Sequence, residues 1–149
     1  MTDELKLLLE KELAILDDAV NVLSYSLEKC AEIGTKDHYT PDELDRYESL
    51  TSRFARLSDI VTQKIFRIID EIDLETQGTV RDRINRAEKK GLIKSAETFV
   101  KIRMLRNDIA HEYLPAAIKS IYRKVLALTP ELLTSITAIK EYCGKYRDS

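Results

Sequence analysis

The sequence predicts an all-α fold, an up-and-down bundle of about five helices that forms a single domain over residues 1–149. Two observations lead to this class. Apolar residues recur at three- and four-residue steps through most of the chain, which is the period of a helix buried on one face. Only four Gly and three Pro interrupt the sequence, far fewer turn residues than an all-β fold requires. Hydrophobic residues make up 44% of the chain, enough to build a core.

Two long helices are predicted in the first half of the chain. The first covers residues 3–33 and is followed by a glycine, a typical C-terminal stop. The second begins with Thr40 as the N-cap, Pro41 as the first helical residue and Glu43 as the capping-box partner. It runs to about Leu74. Helices of this length are stable in water when they pack against a neighbour, so we expect an antiparallel pair.

The second half of the chain is predicted to contain shorter helices. A turn at residues 76–78 leads into a short helix over 79–90, and a helix over 96–113 follows. A proline interrupts the pattern after that helix, and the helical pattern then resumes over 115–128. A Thr-Pro pair opens the last helix, over 130–146.

The composition excludes several classes of protein. Cys30 and Cys143 lie far apart without zinc-site spacing, and no signal peptide precedes the first helix. We therefore expect a reduced, cytoplasmic protein with free or buried thiols. No apolar run approaches the roughly 18 residues of a membrane span, so the chain is expected to be soluble. Without a glycine-rich phosphate loop or a His/Glu metal pair, we expect neither a cofactor nor a metal.

The charge is unevenly distributed along the chain. The formal net charge is −2, but residues 81–106 hold nine basic and three acidic residues, which leaves 15 basic and 23 acidic residues elsewhere. A local basic field on an acidic body is the pattern of a site for a polyanion. A solvated helix face is the other interpretation of this run.

Arg106 lies in the middle of an apolar face of the helix over 96–113, flanked on a helical wheel by Phe99 and Ile109. An unpaired buried guanidinium costs several kcal/mol. We therefore expect Arg106 either to line a cleft or to pair with a carboxylate of the second helix, such as Asp59 or Asp70.

His111 lies on a second, partly apolar flank of the same helix, one turn after Asn107. It is either a core histidine or part of a groove. Pro115 has no N–H for the carbonyl of residue 111 and its ring crowds that carbonyl, so the helix bends or ends there, which favours a groove. A helix that is apolar on two sides needs two neighbours, and the second is either the last helix or a second copy of the chain.

The stretch Arg106-Asn107-Asp108-Ile109-Ala110-His111-Glu112-Tyr113 has the pattern R-x4-H-x-Y. With these eight residues and its helical plan, the sequence resembles the HEPN domain family. Within that family it is similar to the HepT-like toxins encoded beside a minimal nucleotidyltransferase antitoxin called MntA. The family motif is R-x4-6-H, commonly with a polar residue after the Arg, and Arg106, Asn107 and His111 match it. HepT-like members extend the motif to R-x4-H-x-Y, and Tyr113 matches the extension.

The resemblance implies a metal-independent endoribonuclease that acts as a homodimer, with Arg106 and His111 of both subunits in one cleft. A histidine can act as base or acid near neutral pH, and an arginine offers phosphate a fixed fork of donors. Asn107 has a supporting role, orienting the imidazole or donating to phosphate; a surface amide is the other interpretation. Because Arg106 and His111 lie roughly 140° apart on one helix, two copies around a two-fold axis would supply the pair.

The resemblance also implies that the nucleotidyltransferase transfers AMP from ATP to Tyr113 and so silences the toxin, as in a type VII-like toxin–antitoxin system. A core tyrosine is the other interpretation of Tyr113. The alternative function is a non-catalytic HEPN partner of the nucleotidyltransferase that binds nucleotide or presents substrate. If the chain is a ribonuclease, its basic residues would bind the backbone of a tRNA or mRNA without sequence specificity. These residues are Arg81, Arg83, Arg86, Lys89, Lys90, Lys94 and Arg103.

Overall fold

A computed structural model describes residues 2–75, 78–112 and 114–147. Over these ranges the chain is helical and contains no β-strand, which confirms the predicted fold class. None of the helices in these ranges combines the length and apolarity that crossing a lipid bilayer demands.

The described residues form five helical rods. The second rod is continuous but has three parts, because a π-helical segment separates α2 from α3. In chain order the elements are α1 (Asp3–Ile33), α2 (Pro41–Asp59), the π-helical segment (Ile60–Ile65), α3 (Phe66–Ile72), α4 (Val80–Lys89), α5 (Ala96–His111) and α6 (Pro115–Gly144).

α1 and α2 form the antiparallel pair that their lengths predict. The Tyr47 hydroxyl, near the start of α2, donates to the Gly34 carbonyl just beyond the end of α1 at 2.6 Å. Further along, Arg53 Nη1 donates to Ser26 Oγ at 2.7 Å, so the two helices run side by side in opposite directions. α5 packs against α2, and α6 packs against α1, α2 and α5, which completes an up-and-down bundle around one core.

The predicted start of α2 and the glycine stops after α1 and α4 are confirmed. Both bonds of the predicted capping box exist: Glu43 N donates to Thr40 Oγ1 at 3.2 Å, and Thr40 N donates to Glu43 Oε1 at 2.9 Å. Gly34 and Gly91 follow α1 and α4 with φ of 73° and 78°. Only glycine adopts this left-handed region without crowding a Cβ, so these two residues end their helices cleanly.

The second long helix differs from its prediction as a regular α-helix to about Leu74. Its hydrogen bonding widens to the π pattern over Ile60–Ile65, and α3 ends at Ile72. Periodicity did not reveal the π turn, because Ile60, Val61 and Ile65 are buried there as they would be in an α-helix. The predicted turn at 76–78 lies largely outside the described residues, which omit Thr76 and Gln77.

The prediction that Pro130 opens a new helix is wrong. α6 continues through this proline. Thr129, immediately before it, is fully buried, and its hydroxyl donates to the Val125 carbonyl at 2.6 Å. Leu132 on the far side is buried as well. Burial of Leu132, together with burial of the hydrogen-bonded Thr129, outweighs the local cost of the missing N–H, so tertiary packing overrides the sequence signal.

A buried polar network ties the end of α6 to the residues after α3. The Asp73 carboxylate accepts hydrogen bonds from the Tyr142 hydroxyl at 2.5 Å, the Tyr146 hydroxyl at 2.7 Å and Lys90 Nζ at 2.8 Å. Burial opposes the ionisation of Asp73, but these donors outweigh it and hold the pKa of the carboxyl below its usual value. Burial also opposes the charge of Lys90, and the bond to Asp73 outweighs it and raises the pKa of that ammonium.

We expect Asp73→Asn to lower the free energy of unfolding by about 2 kcal/mol near neutral pH, because it leaves Lys90 without its closest anionic partner. The pKa of Asp73 is lowered by folding, so this stabilisation is present above the unfolded-state pKa and disappears as the pH falls through the folded-state pKa. Urea unfolding at a series of pH values measures the difference between wild type and variant. Asp18→Asn, at an exposed site on α1, is the control. A difference that persists unchanged in strong acid would contradict the prediction.

Candidate functional site

Arg106 lies in an open groove between α5 and the junction of α2 with the π-helical segment. The groove has a volume of about 590 Å³, and the Arg106 side chain keeps 29% of its surface exposed. The charged residues that line the groove are four basic and one acidic: Arg56, Lys64, Arg103 and Arg106, and Asp59. The groove therefore offers an excess of positive charge to an anion.

The Asp59 carboxylate holds the Arg106 guanidinium by two parallel hydrogen bonds. Arg106 Nε donates to Asp59 Oδ1 and Nη2 donates to Oδ2, each at 2.8 Å. Arg103 Nη1 donates to the same Oδ1 at 3.1 Å. Hydrogen bonding to Asp59 raises the pKa of Arg106 above its usual value, although burial opposes this. Both sequence-based alternatives for Arg106 therefore hold together: it is paired with Asp59 and it lines an open cleft.

Packing of α5 fixes where Arg106 points. Phe99, Ile102 and Leu105 form the buried face of this helix, and the Phe99 ring lies 6.1 Å from that of Phe66. Arg106, the residue after Leu105, is carried to the edge of this face, where the core ends. Asp59 stands directly before the π-helical segment. A π turn contains one more residue than an α turn, so it changes the register of the side chains that follow, and such turns are frequent at functional sites.

His111 is the last residue of α5 and is exposed, so the interpretation of it as a core histidine is wrong. The imidazole makes no hydrogen bond or ion pair with any other described residue. α5 ends here and Pro115 begins α6, so the predicted break beside His111 is confirmed. His111 does not line the groove that holds Arg106. Within one subunit, the structure thus does not bring these two side chains into one pocket.

The second flank of α5 is open. Asn107 is exposed on it, and the large apolar side chain of Met104 is 61% exposed. Leu114, which the sequence placed on the same flank, is 68% exposed but lies beyond the end of α5, as the N-cap of α6. The apolar side chain of Met104 is therefore left largely uncovered by the rest of the described chain.

Part of the predicted basic run serves the fold instead of an open surface. Arg83 is only 8% exposed, and its Nη1 donates to the Thr62 carbonyl and to Gln63 Oε1, each at 3.3 Å. Burial lowers the pKa of this guanidinium, with a further contribution from the positive charge of Arg67. Its assignment as a contact to an RNA backbone is wrong, because the side chain faces into the bundle and not towards solvent.

Arg86 and Lys90 are also engaged within the fold. Arg86 donates through Nε and Nη2 to Asp70 Oδ2 at 3.1 and 2.8 Å, and Lys90 bonds Asp73 and lies 3.4 Å from Asp70 Oδ1. Arg86 and Lys90 keep 21% and 13% of their side-chain surface exposed, and their contact with an RNA backbone stays a prediction. Of the other predicted backbone contacts, Arg103 pairs with Asp59. The last three are exposed and, within the described ranges, make no ion pair: Arg81, Lys89 and Lys94.

Two functional candidates escaped the sequence analysis. Arg56 and Lys64 lie in the second helical rod, outside the dense basic run, and reach Arg106 only because α5 packs beside the π-helical segment. No local pattern marks them. Tyr113, the predicted acceptor of AMP, lies outside the described residues. Among the residues that are described, no three His, Cys, Asp or Glu side chains are grouped to hold a metal ion.

A scan against models of protein families finds no match for this chain, and a search of curated proteins finds no sequence of significant similarity. The motif in α5 and the geometry around it are therefore the basis for inferring the function of this chain.

We expect Asp59 and Arg106 to be energetically coupled by about 1 kcal/mol, because the pairing is bidentate while both side chains remain partly exposed to water. A double-mutant cycle with Asp59→Asn and Arg106→Gln, read by urea unfolding, measures the coupling. The matched cycle replaces Arg106→Gln with Lys101→Gln, an exposed residue of the same helix that pairs with Glu97. Strictly additive effects of Asp59→Asn and Arg106→Gln would contradict the expectation.

Proposed function

We propose that this chain is the toxin of a type VII-like toxin–antitoxin system, a metal-independent endoribonuclease of the HEPN type with the motif residues Arg106, His111 and Tyr113. The observation that supports the proposal is the placement of Arg106 and His111. Arg106 presents a fixed charge in an open basic groove, and the imidazole of His111 is exposed and unpaired within the described ranges on the same helix. Asn107, exposed one turn before His111, is the supporting polar residue.

The proposed reaction is the transfer of an RNA phosphodiester to its own 2′-hydroxyl. The 2′-oxygen attacks the adjacent phosphorus, the bond from phosphorus to the 5′-oxygen breaks, and a cyclic phosphate and a free 5′-hydroxyl result. The proton lost from the 2′-hydroxyl and the proton gained by the 5′-oxygen balance, and His111 serves one of these transfers. DNA lacks the attacking hydroxyl, so the chemistry itself selects RNA.

Arg106 stabilises the negative charge that develops on the phosphoryl oxygens. Asp59 binds its Nε and Nη2, while Nη1 has no hydrogen-bond partner within the described part of the chain and is available to phosphate. The carboxylate thereby acts as a positioning group that holds the guanidinium in one orientation. A guanidinium held in place loses less side-chain entropy when it binds the substrate.

The proposed enzyme is a homodimer. Arg106 and His111 do not share a pocket in one subunit, and a second subunit would supply the missing member of the pair. The exposed Met104, on the His111 side of α5, and the exposed Leu114, at the start of α6, provide apolar surface for such a contact. In a two-fold interface the same patch of both subunits meets, so the contact that covers these side chains also brings the two α5 helices together.

The proposed antitoxin is a minimal nucleotidyltransferase of the MntA type, which transfers AMP from ATP to the Tyr113 hydroxyl. Tyr113 follows His111 by two positions, between the end of α5 and the start of α6. A bulky anionic group two positions after His111 in the sequence would compete with RNA for the positive charge that binds phosphate. In this proposal, RNA cleavage by the toxin requires neither a metal nor a cofactor. It takes place in the cytoplasm, and its substrate is tRNA or mRNA.

We expect Arg106→Ala and His111→Ala each to lower RNA cleavage at least about 100-fold, because each removes a group that acts on the scissile phosphate. Cleavage of labelled RNA in the presence of EDTA measures this, and Lys101→Ala on the same helix is the control. Equal cleavage by wild type and both variants would contradict the enzyme. A purified protein that binds the nucleotidyltransferase and leaves RNA intact would favour the non-catalytic partner instead.

Incubation with the nucleotidyltransferase and ATP should raise the intact mass by whole units of AMP and abolish RNA cleavage, since the added negative charge would compete with RNA for the cationic groups that bind phosphate. Tyr113→Phe should remove the gain in mass. Tyr25→Phe, at an exposed tyrosine of α1, should keep it. A gain that survives in Tyr113→Phe places the modification elsewhere and contradicts this assignment.

A further inference from the structure

We propose that Arg56 and Lys64 bind the phosphates on either side of the one at Arg106, so that the groove takes three or four nucleotides of single-stranded RNA. The proposal deepens the function proposed above and depends on it. It assigns the substrate contacts to the second helical rod, which sequence reasoning left without a functional role.

Arg56 and Lys64 are free to bind a ligand. Both are exposed in the groove, and neither makes a hydrogen bond or ion pair with another described residue. Arg103 and Arg106, in contrast, share the Asp59 carboxylate. A phosphate that binds Arg56 or Lys64 therefore breaks no existing interaction and gains a charge-assisted hydrogen bond. The two cations also add the positive charge that Asp59 removes from the middle of the groove.

The spacing of the two cations suits a short strand. Arg56 and Lys64 are eight positions apart on one rod, no more than about 12 Å at the α-helical rise of 1.5 Å per residue, because the π-helical segment that contains Lys64 rises less per residue. A stacked strand advances about 3.4 Å per nucleotide, so this distance covers no more than about three to four nucleotides. Asp59, and with it the guanidinium of Arg106, lies between the two positions. The middle phosphate of the strand would then stand at Arg106.

The grooves on either side have no excess of positive charge. The neighbouring groove beyond Arg56 is lined by Asp45 and Glu48 together with Arg53 and Arg56. The groove beyond Lys64 is lined by Glu12 and Glu71 together with Lys64 and Arg67. In each of them two carboxylates balance two cations, so the excess of positive charge is confined to the groove around Arg106. This favours a few nucleotides of a single-stranded loop or end as the substrate.

The test compares two variants that lose the same charge. Arg56→Gln/Lys64→Gln removes two cations from the groove, and Arg123→Gln/Lys124→Gln removes two exposed cations of α6 that lie outside it. The probe is a fluorescent 2′-O-methyl oligonucleotide, which has no free 2′-hydroxyl and so reports binding without cleavage. Anisotropy at a series of KCl concentrations gives the salt dependence of the affinity. Circular dichroism and the thermal midpoint establish that both variants fold.

We expect the groove variant to lose about 1.4 units from the slope of log affinity against log salt, at about 0.7 per single-strand phosphate contact. The control variant should keep the slope of wild type. Equal loss in both variants would show that overall charge governs binding, and would overturn the proposal. So would an affinity that keeps rising steeply as the oligonucleotide grows beyond about four nucleotides, or displacement of the probe by poly-glutamate at equal charge.

The same proteins separate this inference from the proposed function. Cleavage of unmodified RNA by wild type, with the slope unchanged in the groove variant, would overturn the assignment of Arg56 and Lys64 and leave the nuclease standing. The expected loss of slope without any cleavage of unmodified RNA would support the binding groove and contradict the nuclease.

Discussion

The pairing of Asp59 with Arg106 connects α5 to the point at which α2 gives way to the π-helical segment. Two guanidiniums, those of Arg103 and Arg106, lie at this junction, and without the carboxylate between them they would repel each other. With it, the helices approach closely while the outer surface of the groove keeps its positive charge. The bond thus reconciles a requirement of the fold, close packing of α5 on α2, with a surface suited to anions.

The distribution of charge along a sequence differs from its distribution over the folded surface. In the densest basic stretch, Arg83 is buried and Arg86 and Lys90 are half-buried, and each bonds the second rod or the residue that follows it. Arg56 and Lys64, which are isolated in the sequence, are the cations that stand free beside Arg106. A buried cation needs acceptors around it, so basic residues that face carboxylates such as Asp70 form ion pairs within the fold. The free cations are those that face no carboxylate.

Local signals predicted the elements that local chemistry decides. The capping box at Thr40, the glycine after α1 and the break before Pro115 depend on backbone geometry within a few residues, and the structure confirms each of them. Pro130 was mispredicted because residues remote in sequence bury its neighbours Thr129 and Leu132, and their packing outweighs the lost hydrogen bond. The π-helical segment also had no local signature.

The sequence predicted the pairing of Arg106 but not the full set of residues that line its groove. An arginine inside an apolar stripe must find a partner or a cleft, and that argument reached Asp59 as one of two carboxylates. It could not choose between Asp59 and Asp70, because the choice depends on how far α5 slides along the second rod. Asp70 instead accepts Arg86 from α4. Arg56 and Lys64 could not be predicted as groove residues for the same reason, since only the packing of one helix on another places them in the groove.

The geometry of a single α-helix prevents one subunit from placing both Arg106 and His111 on the same phosphate. Five positions turn the helix by about 500°, which leaves Arg106 and His111 roughly 140° apart in projection and about 7.5 Å apart along the axis. Asp59 holds the guanidinium against the second rod, so Arg106 cannot swing round to the imidazole without losing both 2.8 Å bonds. A histidine side chain is too short to cover the difference. If both groups act on one phosphate, the imidazole must come from another helix, and a second α5 related by a two-fold axis is the simplest source, since the same contact would cover the exposed side chains on the His111 flank.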